Sequence, residues 1–175
     1  MNLPENDART KDYTLNADAY ELYLQGRFLW RKGTKADFEK AIEYYRRALQ
    51  IDSNYALAYV GIADCYVLLG DFAYYSSIES YPPAKENILR ALQIDPDLVD
   101  AQVSLANIEY LYDWDWKKTE DSFKRVIELA PNNATAHQWY GEFLVSQKRF
   151  NEAESELNEA VRLEPNLIVL KTVAD

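Results

Sequence analysis

The apolar and small residues of this chain follow one spacing that occurs four times. Each occurrence runs from a small residue through an aromatic or aliphatic residue to a second small residue, and three of the four end at a proline. Pro131 and Pro165 lie 34 residues apart, and Pro96 precedes Pro131 by 35 residues. Within each occurrence, apolar residues recur at steps of three to four, which is typical of amphipathic helices. The pattern therefore predicts an all-α chain built from tandem helix pairs.

The spacing also predicts the organisation of the chain. We expect an α-solenoid of antiparallel helix pairs, with four repeats over 19–55, 56–98, 99–133 and 134–167 and a partial fifth helix over 168–175. Residues 1–16 are polar and lack helical periodicity, so we expect a disordered leader there and a repeat domain over 17–175. Asn16 is placed to cap the first helix. In that helix, apolar residues recur at steps of three to four and predict a helix face that consists of Tyr20, Leu24 and Phe28 together with Leu22 and Leu29.

The second repeat is nine residues longer than a 34-residue unit, and the surplus falls between Gly70 and Pro83. We expect an aromatic loop over 70–83 whose rings fold back on the neighbouring helices, because an exposed apolar patch lowers solubility. A second interpretation keeps these rings exposed as a knob that binds a partner. The aromatic residues concerned are Phe72, Tyr74, Tyr75 and Tyr81.

Composition and charge narrow the classes of function. The 175 residues carry a formal net charge of −10 with no basic stripe, which disfavours direct binding of nucleic acid. No run of apolar residues is long enough to predict a membrane span. The first sixteen residues lack the apolar stretch of a secretory signal, so we expect a cytoplasmic protein. The single cysteine, Cys65, excludes an intramolecular disulfide.

Candidate catalytic residues are few. His137 is the only histidine, so a two-histidine zinc motif cannot form, and packing between repeats is the favoured interpretation of this residue. Asp113 and Asp115 flank Trp114 where two helices should meet, and a solvated turn accounts for them. The tryptophans and tyrosines are interpreted as core. The five glycines never cluster into a phosphate-binding loop. We therefore predict no enzyme activity, no cofactor and no metal.

The last repeat carries the residues that identify a family resemblance. They are His137, Tyr140, Gly141 and Leu144 in its first half and Ala153, Leu157, Ala160 and Pro165 in its second. The chain resembles the tetratricopeptide repeat family from residue 17 onward. Segments 13–27, 112–116 and 134–140 are also similar to the repeat regions of large prokaryotic signalling proteins. The resemblance implies a non-catalytic protein-interaction scaffold that is part of a larger regulatory protein.

The resemblance also implies where a partner binds. Proteins of this family usually bind a peptide segment or an adjacent domain in a concave groove lined by the first helix of each repeat. The candidate groove residues here are Tyr20, Tyr23, Arg27, Val60, Asp64, Asn107, Gln138 and Glu142. One subclass uses Lys and Asn in this groove to bind C-terminal carboxylates, but Asp64 and Glu142 would repel such a ligand. We therefore expect a ligand with an apolar anchor and basic groups. The alternative is self-association through the C-terminal helix or the 70–83 loop.

Overall fold

The computed structural model describes residues 14–165 and divides at Ile108 into two compact units, which are treated separately. Within the described residues there are eight α-helices, one π-helical turn and no strand, so the predicted all-α class is confirmed. Most of the predicted leader and the whole partial repeat at 168–175 lie outside the described residues. The first helix of each repeat is called an A helix below, and the second is called a B helix.

Unit 1 contains three A helices and two B helices. Among its described residues, α1, α3 and α5 lie side by side, whereas α2 packs on α1 and α3, and α4 packs on α3 and α5. Side chains on the free face of the A helices therefore lie close together in space although they are far apart in sequence. The helices are α1 (Ala17–Trp30), α2 (Lys35–Ile51), α3 (Ala56–Asp71), α4 (Ser77–Ile94) and α5 (Val99–Ile108).

Local signals in the sequence set the helix ends. The Asn16 side chain accepts hydrogen bonds from the amides of Asp18 and Ala19, as its predicted capping role requires. Helix α4 ends at Ile94, and Pro96 follows its capping residue. Because proline cannot continue a helix, the prolines fix the ends of three B helices.

The core of unit 1 is organised around one tyrosine ring. Tyr45 of α2 is fully buried between Gly26 of α1 and Gly61 of α3. A Cβ atom at Gly26 would lie 2.5 Å from Cε1 of this ring, and one at Gly61 would lie 2.6 Å from Cζ. These two glycines are therefore required for close packing of the helices rather than for a turn.

The buried face of α1 matches the predicted one only in part. The helix buries Ala19, Tyr23, Gly26 and Leu29, whereas Leu24 and Phe28 are 46% and 64% exposed. Leu24 and Phe28 do form an apolar stripe, as the sequence pattern predicted. Helix α2, however, packs on the neighbouring face of α1, which contains Gly26.

The 70–83 segment is largely helical rather than a loop. Helix α3 continues to Asp71 and α4 begins at Ser77 with a capping box, in which the Glu79 carboxylate accepts from the Ser76 amide at 3.0 Å. Only residues 72–76 lie outside the helices, and α4 contains Pro82 and Pro83. The segment's aromatic residues do fold back in part. Phe72 stacks on Phe38 with ring centroids 6.2 Å apart, and the Tyr75 and Tyr81 hydroxyls donate to Glu39 and Asp71.

Unit 2 begins with a buried acidic residue. The π-helical turn Glu109–Asp113 places the Glu109 carboxylate 2.8 Å from Nζ of Lys118, and the Ser122 hydroxyl donates to it at 2.7 Å. Three helices follow in the described part of this unit: α6 (Trp116–Leu129), α7 (Ala134–Ser146) and α8 (Phe150–Leu163). A Cβ atom at Gly141 would lie 2.7 Å from Cγ of Leu157, so α7 and α8 pack tightly there.

Lys148 offers a first test of this backbone. It follows α7 in the left-handed conformation (φ 60°), and the Arg149 amide donates to the Leu144 carbonyl at 3.0 Å. This helix ending favours glycine, because a side chain in the left-handed region costs about 1 kcal/mol. We expect Lys148→Gly to raise the free energy of unfolding of unit 2 by up to about 1 kcal/mol, measured by urea denaturation.

The neighbouring residue provides the control for this substitution. Gln147 has an ordinary φ of −85°, so Gln147→Gly should give no gain in stability. Equal effects of the two substitutions would contradict the assignment of backbone strain to Lys148.

Candidate functional site

The free face of the A helices in unit 1 carries a cluster of charged and polar side chains. Arg27 of α1 and Asp64 of α3 occupy equivalent positions in their repeats, and both are half-buried. Asp100 and Ser104 of α5 complete the cluster. The Ser104 hydroxyl donates to Oδ1 of Asp64 at 3.0 Å. We call Arg27, Asp64, Asp100 and Ser104 the unit 1 polar cluster.

The electrostatics of this cluster favour an added positive charge. Desolvation raises the pKa of Asp64 to about 6, although the Ser104 hydrogen bond and the charge of Arg27 lower it, and Asp100 raises it further. Desolvation also raises the pKa of Asp100, again against the influence of Arg27. The Arg27 guanidinium thus acts on two carboxylates, of which Asp64 is half-buried and Asp100 is exposed. A cation placed beside them would favour their ionised forms.

A buried hydroxyl lies next to the cluster. Tyr45 passes between Gly26 and Gly61, and within the described residues its hydroxyl has no hydrogen-bond partner. Desolvation is the main cause that raises the pKa of Tyr45, and Cys65, Tyr23 and Asp64 raise it slightly further, whereas the charge of Arg27 lowers it. The phenol therefore remains neutral beside the charged groups.

The structure places the predicted groove residues of unit 1 in three environments. Arg27 and Asp64 belong to the polar cluster. Tyr20 is partly exposed and its ring stacks on Tyr23 at 6.5 Å. Tyr23, Val60 and Asn107 are buried. The repeat pattern assigns equivalent positions to these residues but does not predict their different burial. Burial depends on which neighbouring helix packs on each position.

The predicted groove residues of unit 2 pair with each other. The Gln138 amide donates to Oε1 of Glu142 at 2.9 Å, one helical turn away on α7. Both side chains are half-buried. They remain candidate binding residues, and they form a second polar patch on an A helix.

The structure also places the residues that were considered for catalysis. His137 is buried on α7, with Nδ1 2.6 Å from Oε2 of Glu156 and Nε2 3.0 Å from the Pro131 carbonyl oxygen. A carbonyl only accepts, so Nε2 carries a hydrogen and the ring links α7 to the end of α6 and to α8. Asp115 caps α6 by accepting from the Lys118 amide. These contacts join helices α6, α7 and α8 and cap α6.

Two tryptophans are not core residues. Trp114 has a left-handed backbone (φ 59°) and is 69% exposed. Trp116 is partly exposed and stacks on Trp114 with centroids 6.2 Å apart. The prediction that all tryptophans pack in the core is therefore wrong for this pair, because the π-helical turn redirects the chain at this point.

Neither a metal site nor a membrane span is found among the described residues. No group of three or more His, Cys, Asp or Glu side chains in residues 14–165 is arranged to hold a metal ion. Across the same range, no helix is both long enough and apolar enough to cross a membrane.

Comparison with known sequences identifies the family. Residues 35–73 and 115–172, more than half of the chain, match the sequence profile described as Tetratricopeptide repeat. The chain belongs to the tetratricopeptide repeat (TPR) family. TPR proteins are typically non-catalytic and bind proteins or peptides.

Two relatives are similar to this TPR chain over part of their own length. The transcriptional regulator HilA of Salmonella typhimurium is 22% identical over 148 residues, which is 85% of this chain and 27% of HilA. The type IV pilus assembly protein PilF of Pseudomonas aeruginosa is 32% identical over 97 residues, which is 55% of this chain and 37% of PilF. The chain thus spans between about a quarter and two fifths of these relatives.

Solved TPR structures share the fold. A thermophilic TPR protein of Thermus thermophilus superposes with a TM-score of 0.72 at 19% identity, over 86% of this chain and 76% of that one. The first TPR of Spaghetti (RPAP3), solved with the HSP90 peptide SRMEEVD, superposes with a TM-score of 0.54 at 17% identity, over 83% of this chain and 91% of that one.

Proposed function

We propose that this TPR chain is a non-catalytic scaffold that binds a peptide segment or an adjacent domain on the A-helix face of unit 1. The ligand carries a basic side chain, which lies against Asp64 and Asp100, beside an apolar side chain, which lies against Tyr20. The polar cluster is the single observation that carries this proposal.

The cluster supports a binding role because it is unfavourable for folding on its own. Burial raises the pKa of Asp64, which means that the fold disfavours the charged carboxylate. A poorly solvated carboxylate on an open face, such as Asp64, is typical of binding sites, where a ligand supplies the missing partner. The net charge of −10 adds a long-range attraction for a basic ligand.

The same charges argue against an acidic ligand. The peptide bound by the RPAP3 repeat, SRMEEVD, contains two glutamates and an aspartate. On this chain Asp64 and Asp100 would repel such a peptide, and Arg27 is the one cation of the polar cluster. A preference for basic over acidic segments is therefore the distinguishing property of this site.

The proposed setting is a larger regulatory protein. The likeness to HilA, which is named a transcriptional regulator and is much longer than the matched segment, supports this setting. The scaffold would then hold a partner or a neighbouring domain while another part of the protein carries the regulatory activity. A cytoplasmic location belongs to the same proposal.

A random-peptide display library selected on the immobilised chain tests the proposed specificity. We expect the selected peptides to share a Lys or Arg next to an aromatic or aliphatic residue. In fluorescence anisotropy, Asp64→Asn should weaken binding of a selected peptide about tenfold, because a partly desolvated charge pair is lost. A selected peptide in which every Lys and Arg is replaced by Glu serves as the acidic probe and should not bind.

The control is Asp97→Asn, which removes an exposed negative charge from the same unit. This variant should bind as the wild type does. Selection of acidic peptides, or equal loss of binding in both variants, would contradict the proposal.

A further inference from the structure

Leu24 and Phe28 form an exposed apolar patch on one side of α1, next to Arg27 of the polar cluster. We call these two residues the α1 edge patch. They are 46% and 64% exposed. The ammonium group of Lys32 lies over the ring of Phe28, 4.8 Å from the ring centroid. Two large apolar side chains at successive turns of a helix are costly to leave in water.

The repeat itself shows what normally covers these positions. In α3 the equivalent residues are Gly61 and Cys65, and both are buried, with the Tyr45 ring of α2 against Gly61. In α5 the equivalents Ser104 and Ile108 are also buried, and α4 packs on that helix. Each later A helix of unit 1 therefore has this side covered by the B helix that precedes it.

Unit 2 offers the most direct comparison, because its helix α7 also has a phenylalanine at the position of Phe28. Phe143 of α7 holds the position that Phe28 holds in α1, and it is 1% exposed. Its ring lies 6.2 Å from that of Phe123 on α6, the preceding B helix. A phenylalanine at this register is thus a contact site for a B helix.

We propose that the α1 edge patch docks an amphipathic helix of the B type that belongs to another protein. The helix runs antiparallel to α1, as B helices do to the A helix they cover. It places an apolar side chain on Phe28 and a small one opposite Leu24, since Leu24 fills the space that Gly61 leaves open for the Tyr45 ring in α3.

Charge also orients the incoming helix. Arg31 and Lys32 are exposed at the C-terminal end of α1, and Glu21 is exposed near its beginning. An antiparallel partner therefore has an acidic first turn and a basic last turn, which its own helix dipole also favours. Helix α8 has this distribution, with Glu152 in its first turn and Arg162 in its last.

A labelled peptide with the sequence of residues 149–164 is a suitable probe for the test. This peptide contains α8, whose Val161 is exposed in the described structure and whose Leu157 and Ala160 supply the apolar and small side chains. Fluorescence anisotropy with the full chain should detect saturable binding. The double variant Leu24→Asp/Phe28→Asp should weaken it at least about tenfold, and a peptide with Leu157→Asp and Val161→Asp should not bind.

Leu89→Asp is the matched control, since Leu89 of α4 is 45% exposed, nearly as much as Leu24. It should leave peptide binding unchanged. Because all three substituted side chains are exposed, circular dichroism should report the same helix content for every variant. Absence of binding by the wild type, or binding that survives the double variant, would overturn the proposal.

Light scattering of the full chain separates a second copy from a different protein. Head-to-tail contacts between copies build chains or rings, so the mean molar mass would rise with protein concentration. Growth that is lost in Leu24→Asp/Phe28→Asp would assign the patch to a second copy and overturn the proposal. A constant monomer mass, together with peptide binding, is the expected result.

Discussion

Gly61→Ala is expected to lower the free energy of unfolding of unit 1 by about 2–3 kcal/mol, because the new methyl group overlaps the Tyr45 ring. The Cβ position lies 2.6 Å from Cζ of that ring, closer than such atoms approach in folded proteins. Tyr45 is fully buried, and the ring lies between Gly61 and Gly26, so a shift away from Gly61 moves it toward α1. The urea midpoint measured by circular dichroism reports the loss.

A double-mutant cycle identifies the ring as the cause. Tyr45→Leu removes the aromatic atoms that Cβ would meet, and Gly61→Ala should cost much less in that background. Gly26→Ala should behave in the same way, since its Cβ would lie 2.5 Å from the same ring. Additive effects of Gly61→Ala and Tyr45→Leu would contradict this account of the core.

Asp64→Asn is expected to stabilise the chain at neutral pH by about 1–2 kcal/mol, the opposite of most substitutions of a half-buried residue. Burial raises the pKa of Asp64 from 3.8 to about 6. The folded state therefore binds a proton more readily than the unfolded state, so stability falls as the pH rises from about 4 to about 6. Each pKa unit corresponds to about 1.4 kcal/mol, and partial solvent exposure reduces the total.

The pH dependence separates this effect from a change in net charge. The advantage of Asp64→Asn should be full above the pKa of about 6 and should disappear below the ordinary pKa of 3.8, where the aspartate becomes protonated in both the folded and the unfolded state. Asp97→Asn, which removes an exposed charge, should show at most a small gain. Urea denaturation at several pH values measures both. A gain that is independent of pH, or equal in the two variants, would contradict the assignment.

The repeat pattern in the sequence was sufficient to predict the fold class. The shared spacing of small and apolar residues, together with Pro96, Pro131 and Pro165, indicated the helix pairs, and family membership and fold likeness confirm them. The spacing works because each repeat must place a small residue where two helices approach, as Gly26 and Gly141 do.

Departures from the repeat were harder to predict. The surplus in the second repeat extends α4, because the Ser76 and Glu79 capping box starts a helix before Pro82 and Pro83. The apolar stripe of α1 was assigned to an apolar helix face, but Leu24 and Phe28 are exposed because no described B helix covers that side. Periodicity indicates which side chains share a face and does not indicate what lies against that face.

The candidate site was predicted in part. The register that the repeats share placed Arg27 and Asp64 at equivalent positions on neighbouring helices, which the structure brings into one cluster. The register also grouped Val60 and Asn107 with them, although these side chains are buried. The role of Ser104 was missed, because a hydrogen bond between α3 and α5 depends on contacts that a single sequence does not show. A polar residue at a position that is otherwise small or apolar is the signal that could have identified it.

Calorimetric titration of a histidine-free basic peptide from the display selection, at pH values about one unit above and below the pKa of Asp64, tests the central claim most directly. If the basic side chain binds against Asp64, affinity should fall severalfold at the lower pH, because the protonated carboxyl no longer attracts a cation. Asp64→Asn should bind weakly at both pH values. An affinity that is the same at the two pH values in the wild type would contradict the account.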